Sequence, residues 1–372
     1  MKRKTLKKSV VSTVNIIAFV GLIFGFSIWN ALAPKKTVSW NENRTLASPP
    51  SLSIQHILSG RFDDDFETWF SDHFVNRDFW IELKSLTRRA SLCIENNEIY
   101  FARGERLVSR FASFRQETLD ANIDRIQEFA AENHVQANVL LVPSAVWGAK
   151  ADLPFGAQDI NQDALLKEIQ GKLSDQKWIP ITDTMTKDPG NYFRTDHHWN
   201  EKGAYLGYEA ICREVLGRQP QKFVTECVNE NFSGTMYSKS GAFWTKPDRI
   251  YRILPEKPFT ASVSFDDGKT LNSLYSEERL QEKDKYTFYI DGNHALTSIH
   301  TSNENHRKAL IIKDSYSHIL MPYLAAEYEE LTLVDLRYYH QPVSGLMDET
   351  TDLYFIYSLD NFAEDPSLAF LR

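Results

Sequence analysis

The sequence predicts an α/β fold, and the pattern is clearest in its C-terminal third. There, short apolar runs with the length of buried strands flank a segment whose apolar residues recur at helical spacing. Strand–helix–strand units imply parallel pairing with right-handed crossovers. We therefore expect a three-layer sandwich around a mainly parallel sheet. The predicted elements are strands at 308–312, 331–336 and 353–357 and a helix at 318–330.

The same patterns predict further elements upstream. Asn200 is a suitable N-cap for the helix that follows it. Residues 217–305 alternate polar and aromatic residues with scattered Gly and Pro, so we expect an irregular, partly β insertion. The other predicted elements are strands at 138–143 and 178–181, one or two helices within 60–93, and helices at 113–134, 163–174 and 201–216.

The N-terminus predicts a membrane anchor. Five basic residues precede a mostly apolar stretch from about residue 10 to residue 33, close to the ~20 residues that a membrane-spanning helix needs. Basic flanks stay in the cytoplasm, so the body of the chain is expected outside it. A cleaved signal peptide is the main alternative, because Ala31-Leu32-Ala33 resembles a cleavage site. Pro34 is a poor first mature residue, so we favour a retained, single-pass anchor.

These features divide the chain into three parts. Residues 1–36 are the cytoplasmic tip and transmembrane anchor, and residues 37–60 are a linker marked by Ser48-Pro49-Pro50-Ser51. Residues 61–372 are the candidate catalytic domain, with the insertion at about 217–305. Cys93, Cys212 and Cys227 allow at most one intramolecular bridge, and Cys212 and Cys227 are the nearer pair.

The charge of the body argues against binding to nucleic acid. Seven of the 42 basic residues and none of the 50 acidic ones lie in residues 1–36, which leaves a formal charge of −15 on the rest. Nucleic-acid affinity depends on neutralising phosphates with basic residues. We expect no nucleic-acid partner and no general attraction for polyanions.

The most informative run is 192–200, which contains Asp196, His197 and His198. If it is extended, side chains alternate, so that Asp196 and His198 face one way and His197 the other. A carboxylate beside an imidazole fixes its tautomer and stabilises the imidazolium, as a base in acyl transfer requires. We predict His198 as the base, Asp196 as its orienting partner, and Trp199 as a core residue.

Ser315 is the candidate nucleophile, because it follows the strand 308–312 directly after Lys313 and Asp314. Sites in parallel sheets collect at the carboxyl ends of strands, and a serine there lies beside the positive end of a helix. Ser317 is predicted to be an N-cap instead. Considered alone, this turn is explained more simply if both serines only cap the helix. Its combination with Asp196 and His198 favours catalysis.

The runs Asp196-His197-His198-Trp199 and Lys313-Asp314-Ser315-Tyr316 together resemble the DHHW family. This family is one of the SGNH-hydrolase-like proteins, with the alginate O-acetylation proteins of the AlgX and AlgJ type. Two further segments are typical of these families: Glu42-Asn43-Arg44-Thr45-Leu46 before Pro49, and Asp72-His73-Phe74-Val75-Asn76-Arg77.

The resemblance implies an SGNH-like sandwich with Ser315 as nucleophile, His198 as base and Asp196 as its partner. Ser315 follows Asp196 and His198 in the chain, which is the permuted order of the motifs in AlgX-like proteins. It also implies a membrane-bound O-acyltransferase as partner. SGNH proteins build an oxyanion hole from the serine amide, a glycine amide and an asparagine side chain. Gly292 and Asn293 are candidates for the last two donors. A tight turn is the simpler interpretation of this pair, and residues 231–235 are a competing candidate segment.

We therefore predict an extracytoplasmic serine-dependent acyl esterase or O-acyltransferase, with acetyl as the acyl group, that acts on a cell-surface or secreted polysaccharide. No cofactor and no metal are expected. A non-catalytic glycan-binding or assembly protein on the same scaffold is the alternative. A metal site at Asp196, His197 and His198 is a third, but adjacent histidines on a strand diverge.

Overall fold

The computed structural model describes residues 2–39, 41 and 44–372, with only the backbone described for residues 2–11 and 44. Glu42 and Asn43, which carry part of the family resemblance, lie outside the described residues. The chain forms two compact units, Met1–Thr87 and Arg88–Arg372.

The first unit is dominated by helices. Ser12–Leu32 is long and apolar enough to cross a membrane, as expected for an anchor or a signal sequence. β1 and β2 pair antiparallel. The elements are α1 Lys2–Leu32, β1 Val38–Ser39, β2 Arg44–Thr45, α2 Ile54–Leu58, α3 Arg61–Asp72 and α4 Arg77–Ala90.

The second unit is built around an eight-stranded sheet with the order β11-β10-β12-β14-β13-β15-β6-β7. The five strands from β14 to β7 are parallel. The predicted insertion adds β12, β10 and β11 antiparallel at one edge. The strands are β3 Glu95–Asn96, β4 Ile99–Ala102, β5 Arg106–Ser109, β6 Asn138–Val142, β7 Lys177–Trp178, β8 Phe223–Phe232, β9 Asp248–Pro255, β10 Ala261–Phe265, β11 Thr270–Leu271, β12 Leu296–Thr301, β13 Lys308–Lys313, β14 Glu330–Val334 and β15 Thr351–Ser358.

The central strands are apolar on both faces because helices cover them. β6 is buried throughout, and β13 is buried from Ala309 onward. Helix α5 packs against α12, and α9 packs against α11 and the 3₁₀ turn Ser315–Leu320. The helices are α5 Gln116–Glu132, α6 Ala145–Gly148, α7 Gln162–Lys172, α8 Thr182–Met185, α9 Glu201–Ile211, α10 Thr235–Ser240, α11 Met321–Leu324 and α12 Leu359–Glu364.

The predicted α/β fold with a mainly parallel sheet is confirmed, and some elements differ in extent. Asn200 caps α9 as predicted, because its side chain accepts from the N–H groups of Lys202 and Gly203. The helix predicted at 318–330 is wrong in length. It is a 3₁₀ turn followed by the single turn α11, because the carbonyls of Ala325 and Tyr328 accept from the Asn303 amide instead of extending the helix.

Candidate active site

Asp314 fixes the turn that carries Ser315. One oxygen of its carboxylate accepts from the Tyr316 N–H at 2.9 Å. The other accepts from the Ser358 N–H at 2.9 Å and the Asn361 amide at 3.1 Å, beside the end of β15. Burial raises the pKa of Asp314, and these donors oppose the increase. The carboxylate ties the ends of two neighbouring strands together.

Ser317 is not the N-cap that the sequence predicted. Asp314 occupies that position, and the Ser317 hydroxyl donates to the Asp314 carbonyl at 3.0 Å. Ser315 itself is the accessible residue of the region. Every other residue of 309–328, a run that the structure describes in full, is buried, whereas Ser315 is partly exposed. A hydroxyl held by a buried strand and a buried turn has a fixed position.

The run that carries Asp196 and His198 is a bend rather than an extended strand. Tyr192 and Trp199 pair across it as an antiparallel bridge. The His198 N–H donates to Asp196 Oδ1 at 3.1 Å, so the carboxylate closes the turn. The two side chains therefore meet for a reason other than strand alternation. The expectation that His197 points to the opposite side is wrong, because the imidazole centroids of His197 and His198 are 3.8 Å apart.

His198 joins Asp196 to Ser315. Its Nδ1 lies 2.6 Å from Asp196 Oδ1, and its Nε2 lies 2.8 Å from Ser315 Oγ. The tautomer with the proton on Nδ1 satisfies both contacts, since Nδ1–H donates to the carboxylate and Nε2 accepts from the hydroxyl. Asp196 and His198 are buried, with 2% and 5% of their surfaces exposed. The structure thus brings together the three predicted residues from two distant parts of the chain.

Gly234 and Thr235 hold the second oxygen of Asp196. Oδ2 accepts from the Thr235 N–H at 2.8 Å and the Thr235 hydroxyl at 3.0 Å. A Cβ on Gly234 would lie 2.3 Å from both Cβ and Oδ2 of Asp196. Burial alone would raise the pKa of Asp196, but the neighbouring imidazoles and these hydrogen bonds lower it below its ordinary value. Asp196 is therefore a carboxylate at neutral pH.

Asp248, the first residue of β9, holds the other side of the bend. Its carboxylate accepts from the N–H groups of Arg194 and Thr195 at 2.8 and 2.7 Å, and from the Thr195 hydroxyl at 2.6 Å. Burial raises the pKa of Asp248 despite these donors. Two insertion segments, one with Thr235 and one with Asp248, therefore hold the bend on both sides.

Aromatic residues lock the two halves of the site together. The Trp199 indole N–H donates to the Tyr316 carbonyl at 2.7 Å, and the Tyr316 hydroxyl donates to the His197 carbonyl. Tyr286 donates to the Ser315 carbonyl at 2.9 Å. Its ring also stacks on His198, with centroids 3.8 Å apart and planes 12° apart. Trp199 is fully buried, in agreement with the predicted core position.

Several of these supporting residues were missed from the sequence. The motif predicts no role for Tyr316 beside Ser315, and residues 231–235, which include Gly234 and Thr235, suggest only an oxyanion segment. Nothing in the sequence marks Tyr286 among the many aromatic residues of the insertion. Their roles depend on contacts between segments, which one sequence does not reveal.

Gly292 and Asn293, the predicted oxyanion donors, both have contacts of their own in this structure. The Gly292 N–H donates to the Tyr289 carbonyl, and Gly292 has a φ of +86° typical of a tight turn. The Asn293 side chain is exposed and lies within 3.5 Å of the Arg337 guanidinium. Among the described residues, no hydrogen bond joins either one to Ser315 or His198.

His197 borders a small cleft beside the triad, together with Ser109, Ser144, Met236 and Asp360. Its Nδ1 lies 2.8 Å from the Thr235 hydroxyl. The surrounding protein, and then the adjacent His198, lower the pKa of His197. Although a third of the side chain is exposed, the imidazole is therefore neutral at neutral pH.

Asp196, His197 and His198 also form the cluster that could hold a metal ion. One ligand atom from each lies within 4.8 Å of the others. The same atoms, however, take part in protein hydrogen bonds: Asp196 with His198, His197 with Thr235, and His198 with Ser315. A metal would have to replace these bonds, so the donor set fits a triad better than a metal centre.

Comparisons with known proteins bear on the family and the fold. A family model described as DHHW protein matches residues 181–334, and a model described as SGNH hydrolase-like domain, acetyltransferase AlgX, matches residues 101–256. No curated protein matches the chain. The resemblance to the DHHW family and to SGNH-hydrolase-like proteins is thereby confirmed.

Solved structures show the same fold. A DHHW family protein from Eubacterium siraeum is 21% identical over 74% of this chain and 96% of its own, with a TM-score of 0.62. Bacillus cereus PatB1, in a structure with a sulfonyl adduct, is 21% identical over 72% of this chain and 96% of its own, with a TM-score of 0.59. These likenesses show that the chain shares the fold of these two proteins.

Substitution Gly234→Ala tests the packing against Asp196. The new methyl group must displace the carboxylate, because no space exists for it. We expect the turnover of an ester substrate to fall by about 10²-fold or more, since small misplacements of catalytic groups have effects of this size. The control is Gly171→Ala, whose Cβ would meet no atom within 4 Å and should leave turnover unchanged. Equal activity of both variants would contradict the role given to Gly234.

Substitution Asp284→Asn tests a half-buried carboxyl beside the site. Burial, and then the charge of Asp196, raise the pKa of Asp284 to about 6. The folded state therefore loses stability relative to Asp284→Asn as pH rises from 3.8 through about 6. Urea unfolding should find the variant more stable by about 2–3 kcal/mol near pH 8 and close to wild type near pH 3. A difference independent of pH, or one matched by the exposed control Asp175→Asn, would refute this.

Proposed function

We propose that this chain, which is related to the DHHW and SGNH-hydrolase-like proteins, is an extracytoplasmic serine-dependent acyl esterase or O-acyltransferase. Its acyl group is acetyl and its substrate is a cell-surface or secreted polysaccharide. The observation that carries the proposal is the unbroken hydrogen-bond chain from Asp196 through His198 to the accessible Ser315. The family-level similarity to acetyltransferases supports the choice of acyl group.

In the first half-reaction, Ser315 Oγ attacks the carbonyl carbon of the acyl donor. His198 Nε2 takes the hydroxyl proton, and Asp196 stabilises the imidazolium that forms. The proton then passes to the oxygen of the leaving group as the ester bond breaks. An acyl-enzyme with the acyl group on Ser315 remains.

The oxyanion of each tetrahedral intermediate needs hydrogen-bond donors. The Ser315 N–H is the natural first donor, because the first N–H groups of a helical turn have no intrahelical acceptor. Gly292 and Asn293 remain the predicted further donors. Both would first have to give up their present contacts with Tyr289 and Arg337.

In the second half-reaction, neutral His198 takes a proton from water or from a sugar hydroxyl. The activated oxygen attacks the acyl carbonyl, and the proton returns to Ser315 as it leaves. Water gives hydrolysis, and a sugar hydroxyl gives transfer. The AlgX-type match favours transfer to a polysaccharide, and a membrane-bound O-acyltransferase would supply the acyl group outside the cytoplasm. The apolar N-terminal helix supports a location at the membrane.

Substitution Ser315→Ala should lower the release of acetate from a chromogenic acetyl ester by at least about 10³-fold, because the nucleophile is lost. Ser317→Ala is the matched control. Its hydroxyl is buried and donates only to the Asp314 carbonyl, so it should retain activity. Activity that survives Ser315→Ala would overturn the proposal, and loss of wild-type activity on adding a chelator would favour the metal alternative.

A small sulfonyl fluoride should react with Ser315, forming an Oγ–sulfonyl ester and releasing fluoride while His198 takes the proton. PatB1 has been solved with a sulfonyl adduct, which supports this choice of probe. Peptide mass spectrometry should locate the adduct on Ser315 and find none in His198→Ala. Failure to label the folded wild-type protein, with polysaccharide binding intact, would favour the non-catalytic alternative.

A further inference from the structure

The aromatic residues of the first unit form a continuous ladder. Neighbouring rings along it have centroids 5.7–6.4 Å apart. The ladder runs through Phe62, Phe66, Phe70, Phe74 and Trp80. It ends on α1 at Phe26, whose ring lies 6.3 Å from Phe74 and 6.0 Å from Trp80. The aromatic side of α3 and α4 is therefore continuous with the apolar helix.

One turn farther along α1, a polar contact holds this helix against the segment between α3 and α4. Asn30 Oδ1 accepts from the Val75 N–H at 2.9 Å, and the Asn30 carbonyl accepts from Lys35 Nζ at 2.7 Å. Asn30 is only 6% exposed. Cleavage after Ala33 would remove Phe26 and Asn30 and leave the buried Val75 N–H without this acceptor, which is costly. The folded unit thus includes the end of α1, as a retained anchor requires.

The position of Phe26 along α1 determines how deep in the membrane its neighbours lie. With a rise of about 1.5 Å per residue, Phe26 lies about 9 Å along the axis from Leu32, where the apolar span ends. That span is long enough for a hydrocarbon core of ~30 Å. If it crosses the membrane, Phe26 lies below the outer surface of the hydrocarbon region. Phe74 and Trp80, which touch it, lie at a similar depth.

The exposed apolar residues of α3 and α4 recur at helical spacing. Acidic side chains, among them Asp63, Asp64 and Glu67, follow the remaining surface of α3. A helix with a wide aromatic side can bury that side in a membrane interface, and an aromatic patch of this extent is unusual on a water-exposed surface. The residues, with their exposed fractions, are Phe66 43%, Phe70 39%, Phe79 55%, Trp80 39%, Leu83 40% and Leu86 42%.

We propose that the aromatic side of α3 and α4 is embedded in the outer leaflet of the membrane that α1 spans. The occupant is lipid, because the patch continues the lipid-facing surface of α1. Burial of apolar area, rather than attraction to anionic headgroups, holds the helices there. The proposal rests on α1 as a retained anchor and is independent of the acyl-transfer chemistry.

The test uses the full-length chain, one copy in each lipid nanodisc, with Cys93, Cys212 and Cys227 replaced by Ser. A single cysteine at Phe66→Cys or Leu83→Cys carries an environment-sensitive fluorophore on the apolar side. Asp64→Cys is the matched control on the polar side of α3. Intact mass verifies that α1 is present. Quenching by doxyl-labelled lipids is compared with quenching by a water-soluble collisional quencher.

Lipid quenching should be several-fold stronger at Phe66→Cys and Leu83→Cys than at Asp64→Cys, and the aqueous quencher should show the reverse order. Equal access of the aqueous quencher to all three positions would overturn the proposal. Protection of the apolar positions from both quenchers would also overturn it, since the occupant would then be protein rather than lipid. Loss of α1 would refute the anchor on which the proposal rests, while leaving the triad unaffected.

Discussion

The site depends on one carboxylate with four hydrogen bonds. Asp196 accepts from the backbone N–H and the imidazole of His198 with one oxygen, and from the backbone N–H and hydroxyl of Thr235 with the other. The first pair closes the bend and orients the imidazole. The second pair fixes the carboxylate itself, and Gly234 leaves the space that it needs. A charged, buried group is tolerated here because each oxygen has donors.

The two motifs also hold each other through reciprocal bonds. Trp199 donates to the backbone of the serine turn, and Tyr316 of that turn donates to the backbone of the His197-His198 bend. Asp314 ties the same turn to the end of β15. His198 and Ser315 therefore each lie on a segment that the other motif stabilises. The distance between His198 and Ser315 therefore depends on contacts between the two segments, which suits proposed chemistry that needs fixed geometry.

The sequence predicted the parts of the molecule that local patterns determine. Buried strands such as β6 and β13 stand out as short apolar runs, and the Asn200 cap follows from residue type. Ser315 was predicted because it follows a buried strand, and sites in parallel sheets collect at the carboxyl ends of strands. Its combination with Asp196 and His198 was predicted because the two motifs resemble those of a family. The reason offered for the Asp196–His198 contact was wrong, since the segment bends and both histidine rings lie together. Tyr286 and Thr235 reach the site from a long insertion, and their contacts depend on tertiary folding that no local pattern encodes.

The most direct test of the account is to trap the acyl-enzyme. Wild-type protein is mixed with an activated acetyl ester, quenched in acid within the first turnovers, and mapped by peptide mass spectrometry. We expect an acetyl group on Ser315 in wild type and none in His198→Ala. Turnover that proceeds with no acetylated Ser315, or with the acetyl group on another residue whose replacement abolishes activity, would contradict it.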